Sequence, residues 1–547
     1  MACENAFIYV YCHTLIFSLR FRWVFCQLET LRHCLPTSVR RILAELPETL
    51  DATYERILQE IPKSNQVHAH RLLQCLTVAV RPLYVAELAE ILAVDFDTSE
   101  GVPKLNEALR WEDQEQAVLF ACSSLIAIIK DEDKDSRVVQ FSHFSVKEFL
   151  TSDRLATSKV DASRYHHILL NLAHTIMAQA CRSVLLRLDP DIDRTRIKVF
   201  PLAEYAAKHF GDHAEFESVL LHILDGVDHL LDTEKSHFAV WARILPLRHL
   251  PHSDSDSDSD SQQDSQQEVI PLYYVASRGY RGLAEYLISK RPDDVNVSGA
   301  HGTPLHAALD GGHADIAKLL LGYCVDVDVR DYDNRTPLHL AAHHGFLSIT
   351  RTLVERNADI NVQDSSGNTP LHRTMEDWFN QSDRAQESRH DVMKFLLEHG
   401  ADPDAKDFTH STPLHKASYY GSVKGVQLIL EHGAKIHTRD DAGRTPLHQA
   451  LYQLGEGTPN LDMFLDTIRC FLAHGADIDA LDNDHVTPLH LASYPGYAGG
   501  VRLLLEHGAN VHLKDKKGRT PFQVASESGV KEVMQLLSEH LKSQQKM

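Results

Sequence analysis

The sequence predicts a mainly α-helical protein, with a C-terminal repeat α-solenoid and an N-terminal helical region that carries a winged-helix-like module. Three observations predict it. The tetrapeptide Thr-Pro-Leu-His begins at Thr303, Thr336, Thr369, Thr412, Thr445 and Thr487, in steps of 33, 33, 43, 33 and 42 residues. A fixed period of this length marks stacked supersecondary units. Upstream, residues 28–250 place apolar side chains at helical spacing, as in Leu50, Tyr54, Ile57 and Leu58. Between the halves, residues 251–268 hold six acids and no basic residue. Such a tract cannot bury enough apolar surface to fold and reads as a linker.

Each repeat reads as a helix pair. Thr suits the N-cap, and Pro suits the first helical position because its missing N–H costs nothing there. Leu338 with Ala341 and Ala342 keeps the first helix thin, so that neighbours stack closely. Apolar runs such as 319–321 and 503–505 face the second helix inward. Glycines at Gly400, Gly433, Gly475 and Gly508 then supply the left-handed residue that ends it. Turns at 331–334, 440–443 and 482–485 are rich in Asp and Asn and predict a projecting hairpin. A worn copy, Ile270 to Tyr273, and a degenerate one, Thr520 to Gln523, bring the count to eight. The two long steps place insertions between the first and second helices, near 376–388 and 452–463. They read either as a paired lobe touching a partner or as tolerated loop drift.

These residues resemble the ankyrin-repeat family, from about 270 to 541. No single unit can bury its apolar face, so stacking supplies the core. The resemblance implies a protein partner, of unknown identity, held in a concave groove lined by hairpin tips and first-helix ends. Mapped onto this chain, the partner-binding residues are Tyr332, Asp333, Arg335, His343, His344, Phe408, Tyr419, Tyr420, His485 and Tyr494. Aromatic side chains dominate interface hot spots, which favours the five rings among them. The tetrapeptide histidines form a column that invites a metal, but framing by threonine hydroxyls and backbone groups makes them structural, and no metal or other cofactor is expected.

In the N-terminal half, Thr49 reads as a cap for a helix starting at Leu50, and helices are expected over 68–80 and 85–93 around Arg81-Pro82. Segments 125–130 and 138–144 flank an acidic turn and predict a hairpin, with a helix over 145–150. Helix-turn-helix followed by hairpin resembles a winged helix. The helix over 85–93 offers Glu87 and Glu90 and no Lys or Arg, which argues against reading DNA. The stretches at 21–34, 46–58, 81–94, 141–150 and 201–210 together resemble fungal NACHT–ankyrin proteins, NLR-like signal-transducing NTPases. That resemblance implies a nucleotide-binding domain ahead of the winged helix and a nucleotide-sensing role for His143. The sequence departs from it: no G-x-x-x-x-G-K-[ST] loop occurs anywhere in the chain. The expected layout is therefore an apolar N-terminal segment over 1–27, a helical and winged-helix-like region over 28–160 that follows a missing NACHT domain, a helical region over 161–250, the linker over 251–268, and the repeats over 269–547.

Composition sets outer bounds. The 547 residues carry 55 Lys and Arg against 76 Asp and Glu, a formal charge of −21. That balance disfavours nucleic acid and anionic membrane as partners, because both present phosphate. The apolar run 6–19 is shorter than the ~20 residues of a membrane span and lacks a basic start, so a membrane role is not expected. Nine cysteines, an odd number with no C-x-x-C pair, point to a reducing, cytoplasmic setting. No nucleophile elbow or H-E-x-x-H occurs. The function expected is thus a non-enzymatic interaction scaffold or sensor, with no small-molecule substrate. The alternative is the C-terminal part of a nucleotide-dependent NACHT switch.

Overall fold

The computed structural model describes residues 49–98, 102–122, 124–131, 136–189, 192, 194–232, 237–244, 270–299, 301–376, 382–452 and 461–544. The 6–19 run, the 21–34 stretch and the 251–268 linker lie outside them. The chain divides into two compact units, Met1–Asp260 and Ser261–Met547.

In the first unit, α1 (Leu50–Glu60) starts on Thr49, whose side chain accepts from the Ala52 amide. Tyr54 and Leu58 are its buried stripe. Helix α2 (Gln66–Val78) leads through Arg81-Pro82 and the short β1 (Leu83–Tyr84) into α3 (Val85–Leu92). A two-stranded ribbon, β2 (Val94–Asp95) with β3 (Lys104–Leu105), and α4 (Gln114–Cys122) follow. Then β4 (Ile126–Lys130) and β5 (Arg137–Phe141) form the expected hairpin, in a sheet of order β1-β5-β4, and α5 (Phe144–Leu150) closes the module. Helix-turn-helix plus hairpin is a winged helix.

The acids of α3 are buried. Glu87 and Glu90 are each only 3% exposed. Glu87 accepts from the Arg81 guanidinium and the Tyr84 amide, and Glu90 from Arg110 and the Leu202 amide. A buried carboxylate needs such partners. They tie α3 to α7 (Ala203–Ala214), which packs on α6 (Leu170–Leu185). Helices α8 (Val219–Leu230) and α9 (His237–Ile244) complete the described part of this unit. Arg182 of α6 is buried and donates to the Ile223 carbonyl, 3.1 Å away. A Cβ at Gly226 would stand 2.4 Å from that guanidinium, so a larger residue there would have to displace Arg182.

The second unit stacks eight helix pairs among its described residues. They are α10 and α11 (Pro271–Arg278, Arg281–Lys290), α12 and α13 (Pro304–Asp310, Ala314–Leu321), α14 and α15 (Pro337–His344, Leu347–Glu355), and α16 and α17 (Pro370–Arg373, Asp383–Glu398). Next come α18 and α19 (Pro413–Tyr419, Val423–Glu431), α20 and α21 (Pro446–Tyr452, Leu461–Ala473), α22 and α23 (Pro488–Ser493, Ala498–Glu506), and α24 and α25 (Pro521–Glu527, Lys531–Gln544). The insertions do not lie wholly between helices, as the spacing suggests. Part of each is built into a longer second helix, 16 residues in α17 and 13 in α21 against 9 in α15, α19 and α23. Gly400 and Gly475 end these helices at φ 96° and 79°, with open space around an added Cβ. Their role is conformational rather than steric.

The tetrapeptide joins one repeat to the next. In repeat three, the Thr336 amide donates to His339 Nδ1 at 3.1 Å, and His339 Nε2 donates to the Asn368 carbonyl of repeat four at 3.0 Å. Repeat four does the same through Thr369, His372 and the Ser411 carbonyl. The pattern recurs at His306, His415, His448 and His490. An amide N–H can only donate, so Nδ1 is bare and the proton sits on Nε2. In the first repeat Tyr273 stands in, its hydroxyl donating to the His301 carbonyl. In the eighth, Gln523 Oε1 accepts from the Thr520 amide at 2.9 Å, and no bond from it to another repeat is found among the described residues.

His372→Ala should leave a buried amide and a buried carbonyl unpaired, at about 1–3 kcal/mol each. Thermal or urea unfolding of the full chain should show the loss, and His372→Gln should recover part of it by restoring the Thr369 bond.

Candidate functional site

One face of the repeat unit gathers the hairpin tips and the first-helix ends. From Thr336 onward each hairpin is organised by an aspartate five residues before its Thr, buried at Asp331, Asp364, Asp407, Asp440 and Asp515 and half-buried at Asp482; Ser298 stands there before Thr303. Asp331 Oδ1 accepts from the amides of Asp333 and Arg335 at 3.0 and 2.8 Å. Asp364, Asp407 and Asp482 repeat the arrangement. Adjacent tips then join through single backbone bonds: Ser365 N to Asp333 O, Phe408 N to Ser366 O, Asp441 N to Thr409 O, Asn483 N to Ala442 O and Lys516 N to Asp484 O, all 2.8–3.0 Å. The rim is therefore a continuous hydrogen-bonded ladder. His410 and His485 hold left-handed φ values of 57° and 58°, where Gly367, Gly443 and Gly518 stand in sibling hairpins.

The expected site residues divide by exposure. Tyr332, Phe408 and Tyr494 are 43%, 66% and 67% exposed. His485 is also exposed, and Tyr419 and Tyr420 are half-buried, edge to face with ring centres 5.0 Å apart. Phe408 lies against the Gly367 backbone of the preceding hairpin and offers its other face. Tyr332 sits beside Arg335, 5.6 Å from guanidinium to ring centre, and edge-on to His301. Arg335 is spent internally, on Asp331 at 2.8 Å and Asp310 at 3.4 Å, and Asp333 lies 3.8 Å from it. His343 and His344 pack together edge to face; burial, then the Arg389 guanidinium, pushes His343 down to about 3. These two rings are neutral packing groups with little free surface.

Aligning the repeats exposes a column that tetrapeptide reading alone misses. The seventh residue after each Thr is Asp310, His343, Glu376, Tyr419, Tyr452, Tyr494 and Glu527. Tyr452 is 58% exposed and lies under Arg444, with 4.9 Å from guanidinium to ring centre. Arg335 on Asp310, Arg444 on Tyr452 and Arg519 on Glu527 show that the column faces the hairpins. Its signal lay in the alignment of repeats rather than in any short motif.

The tetrapeptide histidines have both nitrogens engaged, as described. Burial lowers His339 and His372 to about 4, and the others in the same direction. Second-helix ends use histidine differently: Nδ1–H of His399, His432, His474 and His507 donates to the carbonyl four residues back at 2.8–2.9 Å. In the winged helix, His143 caps α5, its Nδ1 accepting from the Ser145 amide at 3.2 Å. Ser145 Oγ lies 2.7 Å from the same nitrogen and 2.9 Å from the Tyr54 hydroxyl. No described helix is long and apolar enough to cross a membrane.

Residues 237–331, 323–407, 384–461 and 461–546 match the family described as ankyrin repeats (3 copies), together more than half of the sequence. The chain belongs to the ankyrin-repeat family. Residues 54–160 match the GPI inositol-deacylase winged helix domain. Azaphilone pigments biosynthesis cluster protein L of Monascus ruber is 30% identical over 302 residues, 52% of this chain and 61% of that protein. The matched region thus spans about three-fifths of that relative's length.

Because the buried imidazoles are neutral when folded and take up protons when unfolded, acid destabilises this unit. The sign follows from the proton count: between their ordinary 6.5 and about 4, the unfolded chain binds more protons, so stability rises with pH. Their contribution is whole above pH 6.5 and is lost as pH falls toward 4. Melting temperatures of the full chain should therefore drop across that window; a flat or rising profile would contradict the assignment.

Proposed function

We propose that this chain is a non-enzymatic, cytoplasmic scaffold or sensor that holds a partner protein on the hairpin and first-helix face of its ankyrin repeats. The supporting observation is that exposed rings stand on a rim whose polar groups are already satisfied within the stack. A rigid rim loses little order on binding, and its aromatics can supply the hot spots. The proposed contact set is Tyr332, Asp333, Phe408, Tyr419, Tyr420, His485 and Tyr494, with Tyr452 added; Arg335, His343 and His344 of the expected set are engaged within the stack and are proposed as supports of that face. Of these, Phe408, Tyr452 and Tyr494 should contribute most, since they are the most exposed. The domain plan proposed is the one set out from the sequence, with 28–160 and 161–250 as regulatory regions and 269–547 as the binding element.

The winged-helix match supports a place in fungal NLR-like signalling, in which such a module lies between a NACHT domain and a repeat sensor. It also supports the alternative that the chain acts as the C-terminal part of a nucleotide-dependent switch. In that setting His143 would be the nucleotide sensor. Its capping bonds to Ser145 favour a role in holding α5 in place. The pigment-cluster name of the Monascus relative describes that protein, and we propose no reaction for this chain.

Affinity capture tests the reading. Residues 269–547 should retain the partners of the full chain. Phe408→Ala, Tyr452→Ala and Tyr494→Ala combined should weaken capture by about tenfold or more at unchanged melting temperature. Capture confined to residues 1–250 would overturn it.

A further inference from the structure

The tyrosine column has a spacing that selects the conformation of what it holds. Tyr419, Tyr452 and Tyr494 occupy the same position in three consecutive repeats, each at the end of its first helix. Those helices pack directly, α18 on α20 and α20 on α22. Packed helix axes lie about 8–10 Å apart, and that sets the repeat of the rings. No hydrogen-bond partner for the three hydroxyls is found among the described residues. Tyr494 is the most exposed of the three, Tyr452 has one face under Arg444, and Tyr419 is half-buried and edge-on to Tyr420, so each offers its remaining apolar surface and a polar tip.

Two extended conformations can run along such a track. A β-strand returns side chains to one face every second residue, about 6.6–6.8 Å. A polyproline II helix does so every third residue, about 9.3 Å. Only the second matches the ring repeat. Its backbone carbonyls are unpaired and project outward, where tyrosine hydroxyls can donate to them. Charge narrows the choice. Residues 451–500 contain seven acids and one base, Arg469. Two acids stand at exposed hairpin tips and keep open carboxylate surface although each has a neighbour: Asp441, 59% exposed and 2.5 Å from His410 Nδ1, and Asp484, 78% exposed and 3.6 Å from Lys516 Nζ.

We propose that Tyr419, Tyr452 and Tyr494 form a docking track for a polyproline II segment of a partner protein, carrying proline or leucine at every third position and Arg or Lys between. This rests on the partner-binding reading above and names the chemistry of the occupant. Successive apolar residues of the segment lie on successive rings, and its cations face Asp441 and Asp484.

The test uses the full chain and two labelled synthetic peptides of identical composition, followed by fluorescence anisotropy. One repeats Pro-Pro-Leu in three triplets between arginines; the other places its leucines at every second residue and breaks up the prolines. The triplet peptide should bind saturably, and at least about tenfold more tightly than its isomer. Tyr452→Ala and Tyr494→Ala should each lower that affinity several-fold, while Tyr452→Phe retains most of it because the ring remains. Melting temperatures of the variants separate lost docking from lost folding. Equal binding of the two peptides, unchanged affinity in folded Tyr452→Ala, or no binding of either peptide would overturn the track. If the peptides fail but partner capture still depends on Tyr452 and Tyr494, the segment assignment falls and the groove reading stands. If capture is indifferent to those rings as well, both fall.

Discussion

A hydrogen bond from a histidine Nε2 to a carbonyl in the next repeat recurs six times along the second unit, and the rest of that unit depends on it. One imidazole does two jobs. Its Nδ1 receives a helix-start amide that has no partner within its own helix, and its Nε2 reaches the hairpin of the neighbour. Local capping and long-range stacking are thereby one interaction. This fits the substitutions in the outermost described repeats: tyrosine makes a forward bond in the first, and glutamine makes the local bond in the eighth.

Rigidity at the rim follows from the same arrangement. The carbonyls that receive Nε2 belong to the residue just before each Thr, where the hairpin returns to the helix. From Thr336 onward each hairpin is fixed at its base by the neighbour's histidine and internally by its aspartate, and backbone bonds join the successive tips. Little conformational freedom remains to be lost when a partner arrives. The hydroxyls of Tyr419, Tyr452 and Tyr494 have no hydrogen-bond partner among the described residues, so the binding proposal centres on these rings and not on the charged residues beside them.

Much of this was legible in the sequence. The threonine period fixed the repeat register, and the helix starts at Pro304, Pro337 and the later prolines follow from it. The winged-helix elements were also visible: Thr49 caps α1, and the 125–144 hairpin forms as β4 and β5. What escaped notice depends on tertiary contact. Asp331 and Asp333 are chemically alike in one turn, yet Asp331 is buried as the organiser and Asp333 is half-exposed. Nothing in the sequence near Glu87 and Glu90 shows that they are buried; the fold brings Arg81, Arg110 and the Leu202 amide to them. Arg335, His343 and His344 looked available to a partner, but contacts from Asp310 and Arg389 on other repeats occupy or crowd them. Tyr452 escaped for another reason: it lies outside the tetrapeptide, and only counting seven residues from each Thr shows its equivalence to Tyr419 and Tyr494.

The most direct measurement is nitrogen-15 NMR of the imidazole rings as a function of pH. The account requires the six tetrapeptide histidines to carry their proton on Nε2 at neutral pH and to remain neutral through pH 6.5, with His339 and His372 titrating only near 4. Rings that bear the proton on Nδ1, or that titrate at the ordinary 6.5, would show that the inter-repeat bonds are not what holds the stack together.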